Sequence, residues 1–525
     1  MGVTCLWSIL SDVCERKDLS YLSGKRVAID LSGWVVQAIQ CKALNQLKNP
    51  HLRNLFCRVS WLLLNDVHPI FVLEGKVPEL KQAALKKRNC QDGGTIISEN
   101  LSRSTFDRIL KQCQDLLKSL GVPCIKSSGE AEAFCAFLCA KRIVDGVITN
   151  DNDAFLYGAD TVFRDFTIDP KDAHVNMYSL NSTKNKLQLN QQTLIGLALL
   201  LGCDYSKGVP GIGKEAAVKL IKELQDCDLL QRFQDWKTKK ESEIFPGYDT
   251  DMKKKESHCT RCSHIGSSSK HKREGCIMCD SKITCYVTDP KNPCTCMWHK
   301  NNDIKLKQKN EYKVYSIAKD ISGFPDQKVI DEYLKFSDIV PDDTLIDWTC
   351  PDLKEFQIKA LQYLGWNPEK NFEKWLPIVT SWQQFKLSRN CKISSLYKPI
   401  KVLKFRTVKG ESCLEVQWAS TGNETCCEQD EKSLCTVELE ERFKKSYPQI
   451  AEDFYSSIEK SKSPSKSKTK YTIKSPSNKK MTDFFSVSKT GREKEEHKIE
   501  NTAKRSVEES SDNCEPSVRR QCMSV

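Results

Sequence analysis

The sequence predicts an α/β fold built on a mostly parallel central sheet with helices on both faces. Two observations carry that expectation. Short apolar runs alternate with helical patterns across residues 20–205, as a parallel sheet covered by crossover helices requires. Three of the runs also end in acids: Lys25-Arg-Val-Ala-Ile-Asp30, His68-Pro-Ile-Phe-Val-Leu-Glu74, and Gly146-Val-Ile-Thr-Asn followed by Asp151 and Asp153. Open α/β sheets assemble their sites at the carboxyl ends of their strands, so three acidic ends point to one shared site.

Each element can be justified in turn. After Trp7, Ile9 and Leu10 begin a short amphipathic segment, and Lys25–Asp30 reads as the first central strand. The stretch from Glu130 to Ala140 is rich in helix formers and predicts a packed helix beginning near Ser127 or Ser128. A capping box between Ser127 and Glu130 would account for one glutamate but leaves Glu132 unused. Asp151 and Asp153 share a face if the extension continues past the strand; taken alone, they also suit a surface loop. The apolar helix from Leu194 ends beside Asp204, an acid that is costly if isolated there.

Asp30, Glu74, Glu130, Glu132, Asp151, Asp153 and Asp204 cannot all face one small volume unless cations sit between them. The expectation is metal-assisted hydrolysis with two ions, one helping to generate hydroxide and one stabilising the leaving oxygen. Oxygen-only ligands favour Mg2+, with Mn2+ as a substitute.

Lys81, Lys87 and Arg88 recur at roughly helical spacing, near enough to the acids to contact a scissile phosphate, and precede a glycine-containing loop, Asn89–Asn100. A solvated helix face is the alternative for these cations. Gly208-Val-Pro-Gly-Ile-Gly-Lys214 mimics a nucleotide-binding loop, but Glu215 stands where a hydroxyl would hold Mg2+ and no strand leads into it. It reads instead as a tight turn between two helices. Gly208, Gly211 and Gly213 let a DNA backbone approach, and Lys214 opens a helix whose free amides can bind phosphate.

Composition sets the wider bounds. The 525 residues are 39% hydrophobic and 29% charged, with a net charge of +12. From Ser456 onward, 16 basic residues face 10 acidic ones, so the tail carries half of that excess and suggests a polyanionic partner. No apolar run approaches the ~20 residues needed to span a bilayer, no secretory segment opens the chain, and an intracellular protein is expected.

Of the 26 cysteines, only the cluster from Cys259 to Cys296 needs its own explanation. Cys259-x2-Cys262 and Cys276-x2-Cys279 have zinc-knuckle spacing, followed by Cys285, Cys294, Cys296 and His299, with His258, His264 and His271 as further ligands. One structural zinc is expected on the first four cysteines and a second on Cys285, Cys294, Cys296 and His299; a flexible insertion with reduced thiols is the alternative. Closed four-ligand sites leave no position for a reacting water.

Residues 316–387 predict helices packed through Val329, Tyr333, Leu334, Phe336, Phe356, Ile358, Leu361 and Leu364. Strand-like Ile400–Arg406 and Cys413–Trp418, then a helix over Leu439–Ile458 with Phe443, Tyr447, Phe454 and Tyr455, predict a small β-plus-helix module. Trp418 is either a core residue, a DNA contact or part of a methyl-lysine cage. The tail from Ser461 is too polar to form a core. It carries Ser463-Pro464 and Ser475-Pro476 as phosphorylation candidates and an apolar island, Met481-Thr-Asp-Phe-Phe485, as a docking segment.

Together, Met1-Gly-Val, Val27–Asp30, Phe71-Val-Leu-Glu74-Gly, Gly129-Glu-Ala-Glu132-Ala, Thr149-Asn-Asp151-Asn-Asp153 and Gly202–Gly213 resemble the Rad2/XPG superfamily of structure-selective nucleases, most closely its GEN-type Holliday junction resolvases. The resemblance covers roughly residues 1–230. It implies that the seven acids are metal ligands, that Lys81 and Arg88 engage the reacting phosphate, and that Gly208–Lys214 belongs to a helix-two-turn-helix duplex grip. Glu74 stands where flap-cleaving relatives generally have aspartate, consistent with the GEN-type branch. It further implies a chromodomain at the small module, and residues 478–485 resemble a sliding-clamp-binding peptide, with Asn478 in place of the usual glutamine.

The domain plan that follows is a nuclease core at 1–95 and 96–240, a Cys/His-rich insertion at 241–310, a helical extension at 311–390, a chromodomain-like module at 395–458 and a disordered basic tail at 459–525. The function implied is Mg2+-dependent cleavage of four-way junctions by paired nicks, and of 5′ flaps, in the nucleus. The protein would be a monomer in solution and a dimer on the junction, with no membrane partner. The alternatives are a flap or repair endonuclease without junction resolution, an RNase on a related acidic core, and a non-catalytic branched-DNA scaffold.

Overall fold

The central β-branched and apolar runs, with a wholly polar edge strand, pair into a seven-stranded mixed sheet ordered β1-β7-β6-β5-β2-β3-β4. Its strands are β1 (Glu15–Asp18), β2 (Arg26–Asp30), β3 (His68–Leu73), β4 (Cys124–Lys126), β5 (Gly146–Ile148), β6 (Thr161–Thr167) and β7 (His174–Ser179). The computed structural model describes residues 2–40, 49–82, 102–225, 227–248, 257–282, 285, 297–408, 410–421 and 434–461. Strands β6, β5, β2, β3 and β4 run parallel, while β7 and β1 add an antiparallel edge. The mostly parallel sheet expected from the sequence is therefore mixed, because β6 returns directly to β7 without a crossover helix.

Chain order places the site. From β2 the chain moves outward through β3 to β4, then returns to lay β5 on the other side of β2. That reversal is a topological switch point, where a crevice opens beyond the strand ends. Asp30 ends β2, and Asp151 and Asp153 follow β5 on its other flank.

Alternation along the central strands sends side chains to two cores. Ala28, Ile70, Val72 and Val147 pack with helices Ala131–Ala140, Gln191–Leu201 and Lys214–Glu223 on one face. Val27, Ile29, Phe71 and Ile148 pack with helices Leu31–Gln40, Pro50–Leu64, Arg103–Ser119 and Pro368–Ser388 on the other. Helices thus cover both faces, as a sheet buried on both sides requires.

Several local expectations change. The helical glutamate segment starts at Ala131, with Glu130 at the N-cap and no side-chain cap. Ser127 instead uses its hydroxyl within the preceding turn, accepting from Gly129 N at 3.1 Å and donating to Glu130 O at 3.1 Å. In the extension, Val329, Tyr333, Phe356 and Leu364 are buried, but Ile358 and Leu361 are 56% and 58% exposed and Leu334 is 41% exposed. Phe356, Ala360, Tyr363 and Leu364 form the inward stripe of their helix, leaving Ile358 and Leu361 on its outer side, while Leu334 ends a separate helix that buries Val329, Ile330 and Tyr333.

The small module is a three-stranded antiparallel sheet of β8 (Tyr397–Val408), β9 (Glu411–Ser420) and β10 (Cys435–Leu439). The single helix expected over Leu439–Ile458 is two, Glu440–Ser446 and Pro448–Ser461, because Pro448 cannot continue the first and disfavours a helical Tyr447. Trp418 is 1% exposed, donates to Thr436 Oγ1 at 2.7 Å and packs on Phe443, so it is a core residue and lines no methyl-lysine cage. The module shares its core with helix Pro368–Ser388. Buried Glu438 accepts from Thr380 at 2.7 Å and Gln384 at 2.6 Å, tying the two together.

Candidate active site

Each acid reaches the crevice through a distinct backbone device. Asp30 turns back over the start of the following helix, where Ser32 N at 2.8 Å, Ser32 Oγ at 3.0 Å and Gly33 N at 3.0 Å hold both its oxygens. Glu74, one residue past β3, accepts from Ala131 N at 3.0 Å. It thereby satisfies a free amide at a helix start, where negative charge is favoured. Glu132, on the first turn of that helix, accepts from Thr149 Oγ1 at 3.2 Å. The same Thr149 oxygen accepts from Asp151 N at 3.0 Å, joining the helix to the loop after β5.

Asp153 departs from the extended geometry expected for it. It is the first residue of a helical turn, Asp153–Leu156, and its N–H donates to Asp151 Oδ1 at 3.2 Å. The two aspartates are therefore brought together by a tight turn rather than by strand alternation. Asp204 follows helix Gln191–Leu201 and meets Lys81 at 3.8 Å, while Lys81 Nζ lies 3.0 Å from Glu130 Oε2. The lysine bridges acids from two different elements.

The electrostatics are those of too many anions in too little water. Burial, opposed by the Ser32 and Gly33 donors and reinforced by Asp151, raises the Asp30 carboxyl above its ordinary range. Burial and then Asp30 raise Glu74. Burial, then repulsion from Asp151 and Asp30, pushes Glu132 well up; burial with Asp151 and Asp204 does the same to Asp153. Burial raises Asp151 as well. Glu130 is also raised by burial, although Lys81 opposes it. For Lys81, burial alone would lower the ammonium, but Glu130, Asp204 and Glu74 outweigh it and hold its proton more tightly than usual.

Buried oxygens without a hydrogen-bond partner remain on Glu130 (Oε1), Glu132 (Oε1) and Asp153 (Oδ1). Orphaned anionic oxygens of this kind are expensive, and hard divalent cations satisfy them with the oxygen donors they prefer. The donor set fits Mg2+. Among the described residues, no three of these acids bring carboxylate oxygens within 4.8 Å of one another, as the donor atoms of the Cys/His cluster do.

Three contributors escaped the sequence reading of the site. The hydroxyl of Tyr333, from the helical extension, donates to Asp153 Oδ2 at 3.0 Å. Asn152 pins the chain's start by accepting from Val3 N at 2.7 Å and donating to Val3 O at 3.1 Å. Gly2, at φ +90°, lies so close that a Cβ would fall 2.3 Å from Asp151 Oδ1 and 2.6 Å from Asp153 Oδ1. The Met-Gly-Val opening carried the Gly2 signal; an apolar helical pattern around Tyr333 hid its hydroxyl.

Lys87, Arg88 and the loop Asn89–Asn100 lie outside the described residues, as do Cys294, Cys296 and residues 478–485. Gly208 and Gly211 adopt φ +75° and +80° between helices Gln191–Leu201 and Lys214–Glu223. A Cβ at Gly208 would strike Gly202 N at 2.4 Å, whereas Gly211 and Gly213 face open space. Lys214 starts its helix and reaches Ser8 Oγ at 2.5 Å.

The zinc partition expected from spacing is corrected. Cys259, Cys262, Cys276 and Cys279 do not form a set of their own; Cys285 and His271 join Cys259 and Cys262, while Cys276 and Cys279 group with Cys262 and Cys285. The helix Ser268–Glu274 turns His271 inward, which cysteine spacing could not register.

Comparison with known proteins agrees with this architecture. The model of the XPG N-terminal domain matches residues 1–93, that of the XPG I-region residues 121–204, and that of chromatin organization modifier domain 2 residues 398–456. The chain is 39% identical over 457 residues to the human "Flap endonuclease GEN homolog 1", covering 86% of this chain and 50% of that protein. It is 35% identical over 438 residues to the Drosophila melanogaster "Flap endonuclease GEN", covering 80% and 58%. The chain thus spans about half the length of the curated relatives it matches first. The crystal structure of human GEN1 in complex with Holliday junction DNA superposes with a TM-score of 0.65 at 33% identity, covering 88% of this chain and 99% of that one.

Proposed function

Because the chain belongs to the Rad2/XPG superfamily of structure-selective nucleases, in its GEN branch, we propose that it is a Mg2+-dependent DNA endonuclease acting on branched DNA. It cuts 5′ flaps near the branch and resolves four-way junctions by paired, symmetry-related nicks, leaving 5′-phosphate and 3′-hydroxyl ends. The observation that carries this reading is the convergence of acids from five elements at the sheet's switch point, with Lys81 among them and buried carboxylate oxygens left without a hydrogen-bond partner.

Asp30, Glu74, Glu130, Glu132, Asp151, Asp153 and Asp204 would hold two Mg2+ ions, with Mn2+ able to substitute. Bound there, the ions supply Lewis acidity toward the phosphate and neutralise charge developing on the leaving oxygen. The chain's own residues do the positioning. Ser32 and Gly33 fix Asp30, Ala131 N fixes Glu74, Thr149 couples Glu132 to Asp151, and Tyr333 orients Asp153. Lys81, kept protonated by its acidic neighbours, is placed to neutralise a non-bridging phosphate oxygen. Arg88 and Lys87 would extend that cationic surface along the strand.

Helices Gln191–Leu201 and Lys214–Glu223 with their glycine turn serve as the helix-two-turn-helix grip. Open space over Gly211 and Gly213 supports close approach of a DNA backbone there. Such contacts read shape and charge, not bases. The protein is a monomer in solution and pairs on a four-way junction, whose two-fold character organises two copies. Residues 478–485 dock on a sliding clamp, the Cys/His segment holds structural zinc, and the enzyme works in the nucleus.

Incision mapping on matched 5′-flap, fork and four-way DNA, with protein concentration varied, tests the proposal. Symmetry-related paired cuts whose yield rises with the second copy support it. Cuts confined to flaps favour a flap endonuclease, and preference for ribo-substituted strands favours an RNase.

A further inference from the structure

The Cys/His segment lacks what normally holds a chain segment together. Among the described residues of this segment, 257–282 and 285, the buried hydrophobic cluster consists of cysteines alone: Cys259, Cys262, Cys276 and Cys285, with Cys279 against them. Of its described aliphatic side chains, Ile277 is 97% exposed, Met278 65% and Ile265 49%, so none of these forms a core. A segment this small, with no aliphatic or aromatic core, needs a staple. No disulfide supplies one: these thiols are free, and the Cys262 and Cys276 sulfurs stand 4.0 Å apart, about twice an S–S bond length.

The spacing of the donor atoms is that of tetrahedral zinc. Zn–S bonds of about 2.3 Å and Zn–N bonds of about 2.0–2.1 Å at tetrahedral angles place sulfurs roughly 3.8 Å apart and sulfur about 3.5 Å from nitrogen. His271 Nδ1 lies 3.4 Å from Cys262 Sγ and 3.3 Å from Cys285 Sγ. His264 Nδ1 lies 3.3 Å from Cys279 Sγ and 3.7 Å from Cys276 Sγ. The remote nitrogen of His271, Nε2, meets Ile265 O at 2.8 Å, the backbone hydrogen bond that orients a metal-bound imidazole.

Two ion positions follow. One is surrounded by Cys259, Cys285 and His271, the other by Cys276, Cys279 and His264, and by sulfur spacing both Cys262 and Cys285 group with either side. Two tetrahedral ions need eight ligand positions, and seven side chains fill them when one thiolate is shared. Of these two, Cys262 is the candidate for sharing: it is fully buried where Cys285 is 7% exposed, and its sulfur lies 3.4 Å from His271 Nδ1 on one side and 4.0 Å from Cys276 Sγ on the other. Five thiolates and two Zn2+ leave a net charge of −1, which the exposed Arg261, Lys270, Lys272 and Arg273 around the cluster offset.

We infer that residues 259–285 fold around a binuclear zinc cluster in which Cys262 bridges an ion held by Cys259, His271 and Cys285 and an ion held by His264, Cys276 and Cys279. The inference rests on the structural-zinc reading of this segment and adds its ion count, its ligands and its bridge. Each ion has four protein ligands, so the cluster is structural and leaves no position for a reacting water.

The test uses the full chain, expressed with zinc and purified without chelator. Elemental analysis should give two zinc ions per chain, falling to one or none in Cys262→Ser and staying at two in Cys227→Ser, an exposed thiol outside the cluster. After exchange with 113Cd, the wild-type chain should show two resonances mutually split through the shared sulfur. A single zinc per chain, or two uncoupled cadmium resonances, overturns the binuclear cluster while leaving structural zinc in place. Metal-free protein overturns both. The measurement needs no folded variant, because the wild-type cadmium spectrum decides the bridge by itself.

Discussion

The Tyr333 hydroxyl donates to Asp153 Oδ2 at 3.0 Å, so a residue 180 positions downstream orients a carboxylate at the switch point of the sheet. The helical extension therefore supports the candidate site as well as covering the sheet. Removing that hydroxyl in Tyr333→Phe should raise the Mg2+ concentration for half-maximal cleavage by about 10-fold, as loss of an outer hydrogen bond to a metal ligand does. DNA affinity measured in Ca2+ should change little. An Mg2+ titration of flap cleavage checks it, and an unchanged titration curve would remove Tyr333 from the site.

Gly2 occupies a position no side chain fits. Gly2→Ala forces a Cβ against Asp151 Oδ1 and Asp153 Oδ1 and strains a backbone at φ +90°. Displacement on the order of 1 Å at reacting groups costs about 100-fold in rate. Single-turnover cleavage should fall by that order, with global melting nearly unmoved.

Lys81 separates binding from chemistry. Lys81→Met removes the cation between Glu130 and Asp204. It should lower single-turnover kcat by about 100-fold or more, the usual loss when a charge-stabilising donor is removed. Affinity for branched DNA, spread over many phosphate contacts, should weaken far less.

The metal-free enzyme should lose stability as pH rises. Burial and mutual repulsion raise the carboxyls of Glu132 and Asp153 in the folded chain, so between their unfolded values and those raised values the folded state binds more protons. Stability is then greatest below the unfolded carboxylate range and declines as pH climbs through the raised one. Mg2+ should reverse the decline. For the same reason, Asp153→Asn should abolish cleavage while raising metal-free stability by on the order of 1 kcal/mol, about 1 °C in Tm for a chain of this size. Melting curves at several pH values in EDTA and in Mg2+ check both statements.

The three central strands β2, β3 and β5 were legible because they are apolar runs followed by acids, and Asp30 and Glu74 stand where that pattern put them, whereas the shorter or more polar β1, β4, β6 and β7 gave no such signal. The geometry of Asp153 was not, since a one-turn helix of four residues leaves no periodic signal. The same limit hid the break at Tyr447-Pro448 inside an otherwise continuous aromatic pattern, although the proline itself was a stop signal. Zinc-knuckle spacing located the Cys/His cluster but not how its donor atoms group, because His271 and Cys285 enter through tertiary folding. Tyr333 looked like packing because it is packing: it is 1% exposed, and only its hydroxyl reaches the site.

The most direct measurement is Mg2+-dependent incision of a four-way junction by the wild-type chain and by Asp151→Asn, with junction binding recorded in parallel. The expected result is symmetric paired nicking by the wild type, and loss of incision by at least 1,000-fold in Asp151→Asn with binding retained, as removal of an essential catalytic group produces. Undiminished cutting by Asp151→Asn, or wild-type cutting that persists in EDTA, would contradict a nuclease site built from these acids and divalent metal.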